Sequence, residues 1–245
     1  MYTAAQEAAQ RSIDLNPETV DGYLAMYDFY RVYDWDWTRA AQAAESAQRL
    51  QPANPSVLNA LADLASTLGQ WETAIQIGRQ ALARDPLSAG AHEGLGNALY
   101  CSGQYAAAEA EYRRSLQLFP EGGLTQSFLA RTLMLQGRLA EAVAIAQQDP
   151  TSPFRLWALA MIYHTMGRRT DADAALAEFK RQFHADGVAW VYANWGELDN
   201  AYQWFDQAYT RHDTALTYIK CMPEAPAFIR DPRYKLLLRK MKLPE

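Results

Sequence analysis

The sequence predicts an all-α solenoid of stacked helical hairpins, and three observations predict it. Residues 89–122 carry two apolar stripes at helical spacing: His92, Leu95, Gly96 and Leu99, then Tyr105, Ala108, Tyr112, Ser115 and Leu116. Gly103 separates them where a helix end needs positive φ, and Pro120 stops the second helix. Next, Pro52, Pro86 and Pro120 recur at intervals of 34 residues, each closing the same pattern, while Gly69, Gly103 and Gly137 keep the same period. Finally, Ala40, Ala74, Ala108, Ala142, Ala172 and Ala201 recur at one position of the second helix, where a small side chain lets two helices approach closely. Leucine there would overpack at a cost of about 1–3 kcal/mol.

Taken in order, residues 1–19 read as the second helix of a repeat whose first helix is missing, with Tyr2, Ala5, Ala9, Ser12 and Ile13 in the stripe. That missing partner predicts that Met1 begins an excised fragment. Residues 20–54 form the first full hairpin, with Tyr23, Met26, Tyr27 and Tyr30 facing Trp37, Ala40, Ala44 and Ala47. Its turn, Tyr33-Asp-Trp-Asp-Trp37, is one residue longer than the others, and Asp36 or Thr38 caps the next helix. Residues 55–88 and 89–122 are in register. Beyond Pro120 the repeats shorten: residues 123–152 end at Asp149-Pro150 after a truncated second helix, and 153–183 and 184–212 are recognisable by turn and stripe. Residues 1–212 are thus the solenoid, about six hairpins and a partial one. Residues 213–245 break the pattern with Pro223, Pro226 and Pro232 and read as a C-terminal cap, ending in a helix with Leu236, Leu237, Leu238 and Met241. Its basic side chains read as solvated charges on that cap.

The composition narrows the function. A net charge of −5 without basic clusters argues against nucleic acid. No apolar run reaches the roughly 18–20 residues of a membrane span. Two cysteines, Cys101 and Cys221, make neither a disulfide framework nor a zinc site. His92 and Cys101 share a helix, but no orienting acid accompanies them, and His92 reads as a packed core residue. His164, His184 and His212 lack metal-ligand spacing, and Gly94-Leu-Gly96 follows no strand, so it is no phosphate loop. No catalytic residue, metal site or cofactor is expected.

The pattern of residues 89–122 resembles the tetratricopeptide repeat: Leu95-Gly96, Ala108 and Pro120 match outright, with His92, Leu99 and Tyr112 in the places of the usual Trp, Tyr and Phe. The resemblance implies a right-handed superhelix whose first helices line a concave, partner-binding face. Family members that clamp C-terminal carboxylates set Lys and Asn one turn apart; here Glu93 precedes Asn97, which disfavours that clamp. Two segments, Tyr33-Asp-Trp-Asp-Trp37 and Arg230-Asp-Pro-Arg-Tyr to Pro244, resemble the repeat regions of bacterial multidomain regulators: class III adenylate cyclases with repeat tails and membrane-anchored winged-helix regulators.

The expected function is a non-catalytic scaffold or sensory module of such a regulator, binding a protein or peptide in its concave groove. The alternative is a self-association module forming a homodimer. A cytoplasmic location is expected, with periplasmic as the alternative. The groove is expected along Phe154, Trp157, Met161 and His164, joined by Leu124, Arg131 and Met134 from the preceding first helix and Trp190 from the following one. Earlier repeats place Asn59, Asp63, Ser66, Glu93 and Asn97 there, so the wall turns from polar to apolar. The alternative is that the shortened repeats coil tightly enough to bury these side chains, or that the C-terminal segment fills the groove.

Overall fold

The structure is a computed structural model that describes residues 2–149, 151–182 and 185–245. The repeat-closing Pro150, the start at Met1 and His184 lie outside the described residues. Within them all regular structure is helical. α1 (Tyr2–Leu15) precedes the pairs α2 (Val20–Phe29) and α3 (Trp37–Leu50), α4 (Pro55–Thr67) and α5 (Trp71–Arg84), and α6 (Ala89–Cys101) and α7 (Tyr105–Leu118). Then come α8 (Gly123–Leu135) and α9 (Leu139–Ala146), α10 (Phe154–Thr165) and α11 (Arg169–Gln182), and α12 (Ala185–Trp195) and α13 (Leu198–Thr210). A 3-10 helix (Thr214–Tyr218), α14 (Pro226–Arg230) and α15 (Pro232–Lys240) complete the chain.

Side-chain caps set the starts of several helices. Thr19, Asn54 and Ser88 accept backbone N–H bonds from Gly22, Ser56 and Ala91 at the starts of α2, α4 and α6. Of the two residues offered for α3, Asp36 does the capping, 3.0 Å from the Arg39 nitrogen. Between helices, Gly69, Gly103, Gly137, Gly167 and Gly196 turn the chain at φ between +73° and +81°. The first hairpin departs from this rule. Its extra residue is absorbed by a π-helical turn over Tyr30–Asp34, and Trp35 takes the left-handed position at φ +47°. That conformation is unfavourable for a bulky side chain. It is held by packing: Trp35 is buried and stacks on His212 with ring centroids 4.6 Å apart.

All six recurring alanines of the second helices are essentially inaccessible. Gly96 plays the complementary part on a first helix, because a Cβ there would lie 2.8 Å from the Tyr112 ring. First helices pack on first helices, α2 on α4 and onward to α10 on α12, forming the inner layer, with their hairpin partners outside. The eight-residue α9 bears out the shortened helix expected there. As a result α10 packs directly on α8.

The C-terminal segment does more than cover the last hairpin. The 3-10 helix touches α4, α12 and the π-helical turn, so it runs inside the concave face from the last repeat towards the first. Leu216, Ile219, Met222 and Phe228 are fully buried there. At about 1.5–3 kcal/mol for each such side chain, this burial makes the segment part of the core. The Trp37 indole donates to the Met241 carbonyl at 2.7 Å, and Lys220 donates to the Leu68 carbonyl at 3.0 Å. Leu237 and Leu238 are buried while Leu236 is exposed. Much of the tail's positive charge is paired: Arg233 with Asp199 and Asp231, Arg239 and Lys235 with Glu245, and Lys240 with Asp206.

One expectation is corrected. Cys101 and Cys221 are bonded to each other across a separation of 120 residues, with Cα atoms 5.0 Å apart. Nothing local pairs them; the folding back of the C-terminal segment onto α6 brings them together. His92 also differs from a simple core residue. It is partly buried between α6 and α7, with Nδ1 2.6 Å from a Glu111 carboxylate oxygen and Nε2 3.1 Å from the Pro86 carbonyl.

Candidate functional site

With the C-terminal segment in place, the concave face keeps a cavity of about 330 Å³. One wall is the apolar side of the inner helices: Leu124 and Phe128 of α8, Phe154 and Trp157 of α10, and Trp190 of α12. The opposite wall is the C-terminal segment, through Thr214, Ala215, Thr217, Tyr218 and Cys221. Polar groups enter from Glu93 and Asn97, one turn apart on α6, and from Arg31 in the π-helical turn. The polar-to-apolar change along the inner wall therefore meets in one place.

Arg131 sits beside this cavity in an aromatic cage. Its guanidinium carbon lies 4.2, 4.9 and 5.4 Å from the ring centroids of Trp157, Phe128 and Tyr100. Its counter-ion is Glu224 of the C-terminal segment, which also accepts the Tyr100 hydroxyl at 2.7 Å. Both charged side chains are almost wholly buried. Burial alone would lower the Arg131 pKa, but the Glu224 charge and its hydrogen bond carry it above the ordinary arginine value. Burial pushes the Tyr100 hydroxyl well up, so it stays protonated and donates.

A second polar group closes the other end. Arg31 lies 3.6 Å from Asp63 and 5.6 Å from the Tyr27 ring centroid, and the Tyr218 hydroxyl donates to Asp63 at 3.5 Å. Burial raises the Asp63 pKa, and the Arg31 charge opposes that shift. Tyr218 is raised first by the Asp63 charge and then by burial.

Of the eight residues expected to form the groove, Leu124, Arg131, Phe154, Trp157 and Trp190 line the cavity. Met134, Met161 and His164 lie elsewhere. Met161 and Met134 are buried where α8, α10 and α12 close on one another, and the Thr165 hydroxyl approaches the Met134 sulfur at 3.4 Å. The physical reason is the short α9, which lets α8 and α10 meet directly over these side chains. His164 stacks on Trp195 at 5.1 Å, and its pKa is lowered by burial and then by the Arg169 charge. Phe128 is outside the expected lining, and the C-terminal segment, the alternative occupant of the groove, forms a wall through Thr214 to Cys221. The clue for the latter was available in the burial-prone Leu216, Ile219 and Met222 and in the two cysteines.

Among the described residues, no cluster of three or more His, Cys, Asp or Glu side chains could hold a metal ion. No helix among them is long and apolar enough to cross a membrane.

Comparison with known proteins agrees with this architecture. Tetratricopeptide repeat models match residues 31–89, 59–123 and 99–151. Small glutamine-rich tetratricopeptide repeat-containing protein 2 of Mycosarcoma maydis is 32% identical over 95 residues, 39% of this chain and 27% of that protein. The mouse (Mus musculus) protein O-mannosyl-transferase TMTC1 is 30% identical over 120 residues, 46% of this chain and 12% of that protein. The chain therefore matches only a minor part of either relative. Among solved structures, a tetratricopeptide repeat protein from Parabacteroides merdae superposes with a TM-score of 0.69 at 17% identity, covering 98% of this chain and 92% of that one. PilW, a type IV pilus biogenesis factor, gives 0.66 at 22% identity, with 76% and 89% covered. YrrB, a TPR protein with an unusual peptide-binding site, gives 0.52 at 18% identity, with 71% and 91% covered. Motif, period and architecture agree: residues 31–151 match tetratricopeptide repeats, and the chain folds as a helical solenoid like those of tetratricopeptide repeat proteins.

Proposed function

We propose that this chain is a non-catalytic binding module whose partner, a protein or peptide, inserts a short element into the cavity between α8, α10, α12 and the C-terminal segment. The observation that carries this reading is the cavity itself, about 330 Å³ with Leu124, Phe154, Trp157 and Trp190 in its wall. Recognition sites are characteristically concave, mostly apolar and fitted with a few polar groups. A long peptide lying along the whole concave face is disfavoured, because residues 214–225 already occupy much of it. What remains accommodates a side chain or a chain terminus. The resemblance of the two segments at residues 33–37 and 230–244 supports a place within a larger bacterial regulator. The Cys101–Cys221 disulfide supports an oxidising compartment, hence a periplasmic location over a cytoplasmic one.

The test uses a displayed library of random peptides selected on the wild-type chain. Leu124→Arg puts a long charged side chain into the cavity from a partly exposed position. Selected peptides are expected to bind wild type and to lose at least tenfold in affinity on the variant, whose melting temperature stays within a few degrees. Peptides that bind both equally would place recognition elsewhere on the solenoid.

A further inference from the structure

The charges around the cavity do not balance, and the imbalance points to a ligand class. Arg131 is neutralised by Glu224, and Arg31 faces Asp63. Glu93 also lines the cavity, half-buried, and accepts a hydrogen bond from the Thr125 hydroxyl. Among the described residues no Lys, Arg or His is ion-paired with it. Among the described residues it is the one carboxylate in the cavity lining, and it has no cation. The neighbouring Asn97 uses its carboxamide oxygen for the Tyr112 hydroxyl at 2.8 Å, which fixes its orientation beside Glu93.

An anionic ligand is the alternative that two arginines might suggest, and the geometry argues against it. The guanidinium Nε and Nη1 atoms of both Arg31 and Arg131 lack hydrogen-bond partners but are sealed from solvent. They lie against aromatic faces, Arg31 on Tyr27 and Arg131 within Trp157, Phe128 and Tyr100. Neither arginine therefore offers spare donors to the space itself.

We propose that the element the cavity accepts is an arylalkyl ammonium group, as the N-terminal aromatic residue of a partner presents, its amine on Glu93 and its ring among Phe128, Phe154, Trp157 and Trp190. This rests on the site assigned above and names the chemistry it selects. A cavity of about 150 Å³ holds a single benzene ring. The larger space here, about 330 Å³, admits a fused ring with a short aminoalkyl arm. A half-buried carboxylate makes a charge-assisted hydrogen bond to an ammonium group, and aromatic walls add attraction for the same cation.

The test titrates the full disulfide-bonded chain with three ligands of one shape: tryptamine, the neutral 3-ethylindole and the anionic indole-3-propionate. Tryptamine is expected to bind at least tenfold more tightly than either of the others. Glu93→Gln, which can still accept from Thr125, is expected to abolish that preference by bringing tryptamine down to the affinity of 3-ethylindole. Leu124→Trp, filling the cavity, is expected to abolish binding of all three with the fold retained by circular dichroism. Equal or tighter binding of the neutral or anionic compound overturns the proposal, as does a preference that survives Glu93→Gln or no binding at all. Peptides sensitive to Leu124→Arg alongside failed tryptamine binding would retain the site and reject the ligand class.

Discussion

Replacing Glu224 by alanine should be among the most damaging single changes in this chain. The Arg131 and Glu224 side chains are 1% and 0% exposed, so removing the carboxylate strands a guanidinium with no water to solvate it. Breaking a buried pair from one side costs about 3–5 kcal/mol. The Tyr100 hydroxyl, buried and donating to the same carboxylate, loses its acceptor as well. These losses overlap, so a total of about 4–6 kcal/mol is expected. For a chain of this size that corresponds to a fall of roughly 8–24 °C in melting temperature. Glu224→Gln should cost less, because it keeps an acceptor for Tyr100. Arg131→Met combined with Glu224→Leu should recover much of the loss, since apolar replacements remove the desolvated charges together. Urea denaturation followed by circular dichroism measures each difference. A cost below about 1 kcal/mol for Glu224→Ala would show that the pair is solvated and the reasoning wrong. A double variant less stable than the single would refute it equally.

Two further predictions concern the fold. The Cys101–Cys221 bond closes a long loop, so Cys101→Ala with Cys221→Ala should lower stability by about 2–4 kcal/mol. Dithiothreitol should bring the wild-type melting temperature down to that of the variant and leave the variant unmoved; identical curves for all four samples would contradict the linkage. Gly96→Ala should cost about 1–3 kcal/mol, because its Cβ would meet a Tyr112 ring tethered through its hydroxyl to Asn97. Gly103→Ala meets no atom within 4 Å and should lose about 1–2 kcal/mol through its φ of +81° alone. Gly103→Asn should therefore recover part of the loss, whereas a larger residue at 96 should be worse than alanine.

The sequence made the hairpins legible because their determinants are local. Turn glycines, small alanines at the helix contact and prolines at the repeat ends each act within about 34 residues, so periodicity exposes them. The inserted residue before Trp37 was legible for the same reason, although a π-helical turn with a tryptophan at positive φ was not; that choice depends on His212, far along the chain. The cavity was half legible. Helical spacing picks out a face of α10, and it put Phe154, Trp157, Met161 and His164 on one stripe. It cannot tell how far along the axis a neighbouring helix closes over that face, and this separates Phe154 and Trp157 in the cavity wall from Met161 in the core. The second wall was legible only as the alternative that the C-terminal segment fills the groove, without its register. Residues 214–225 have no repeat pattern, and their place follows from long-range partners: Cys101, Arg131, Tyr100 and the Leu68 carbonyl.

The contact between the first hairpin and the chain's end changes what kind of object this solenoid is. In an open array each repeat senses only its neighbours, so repeats can be gained or lost and ends can fray independently. Here Trp35 stacks on His212, and Trp37 bonds to Met241 across 204 residues of sequence. The array is clasped into a ring with the C-terminal segment as its keystone. Deleting or duplicating an internal repeat would rotate the two ends out of reach, so the repeat number is locked by geometry. Unclasping also requires the most sequence-distant contacts to break, which ties the two ends into one cooperative unit and makes their assembly a late event in folding.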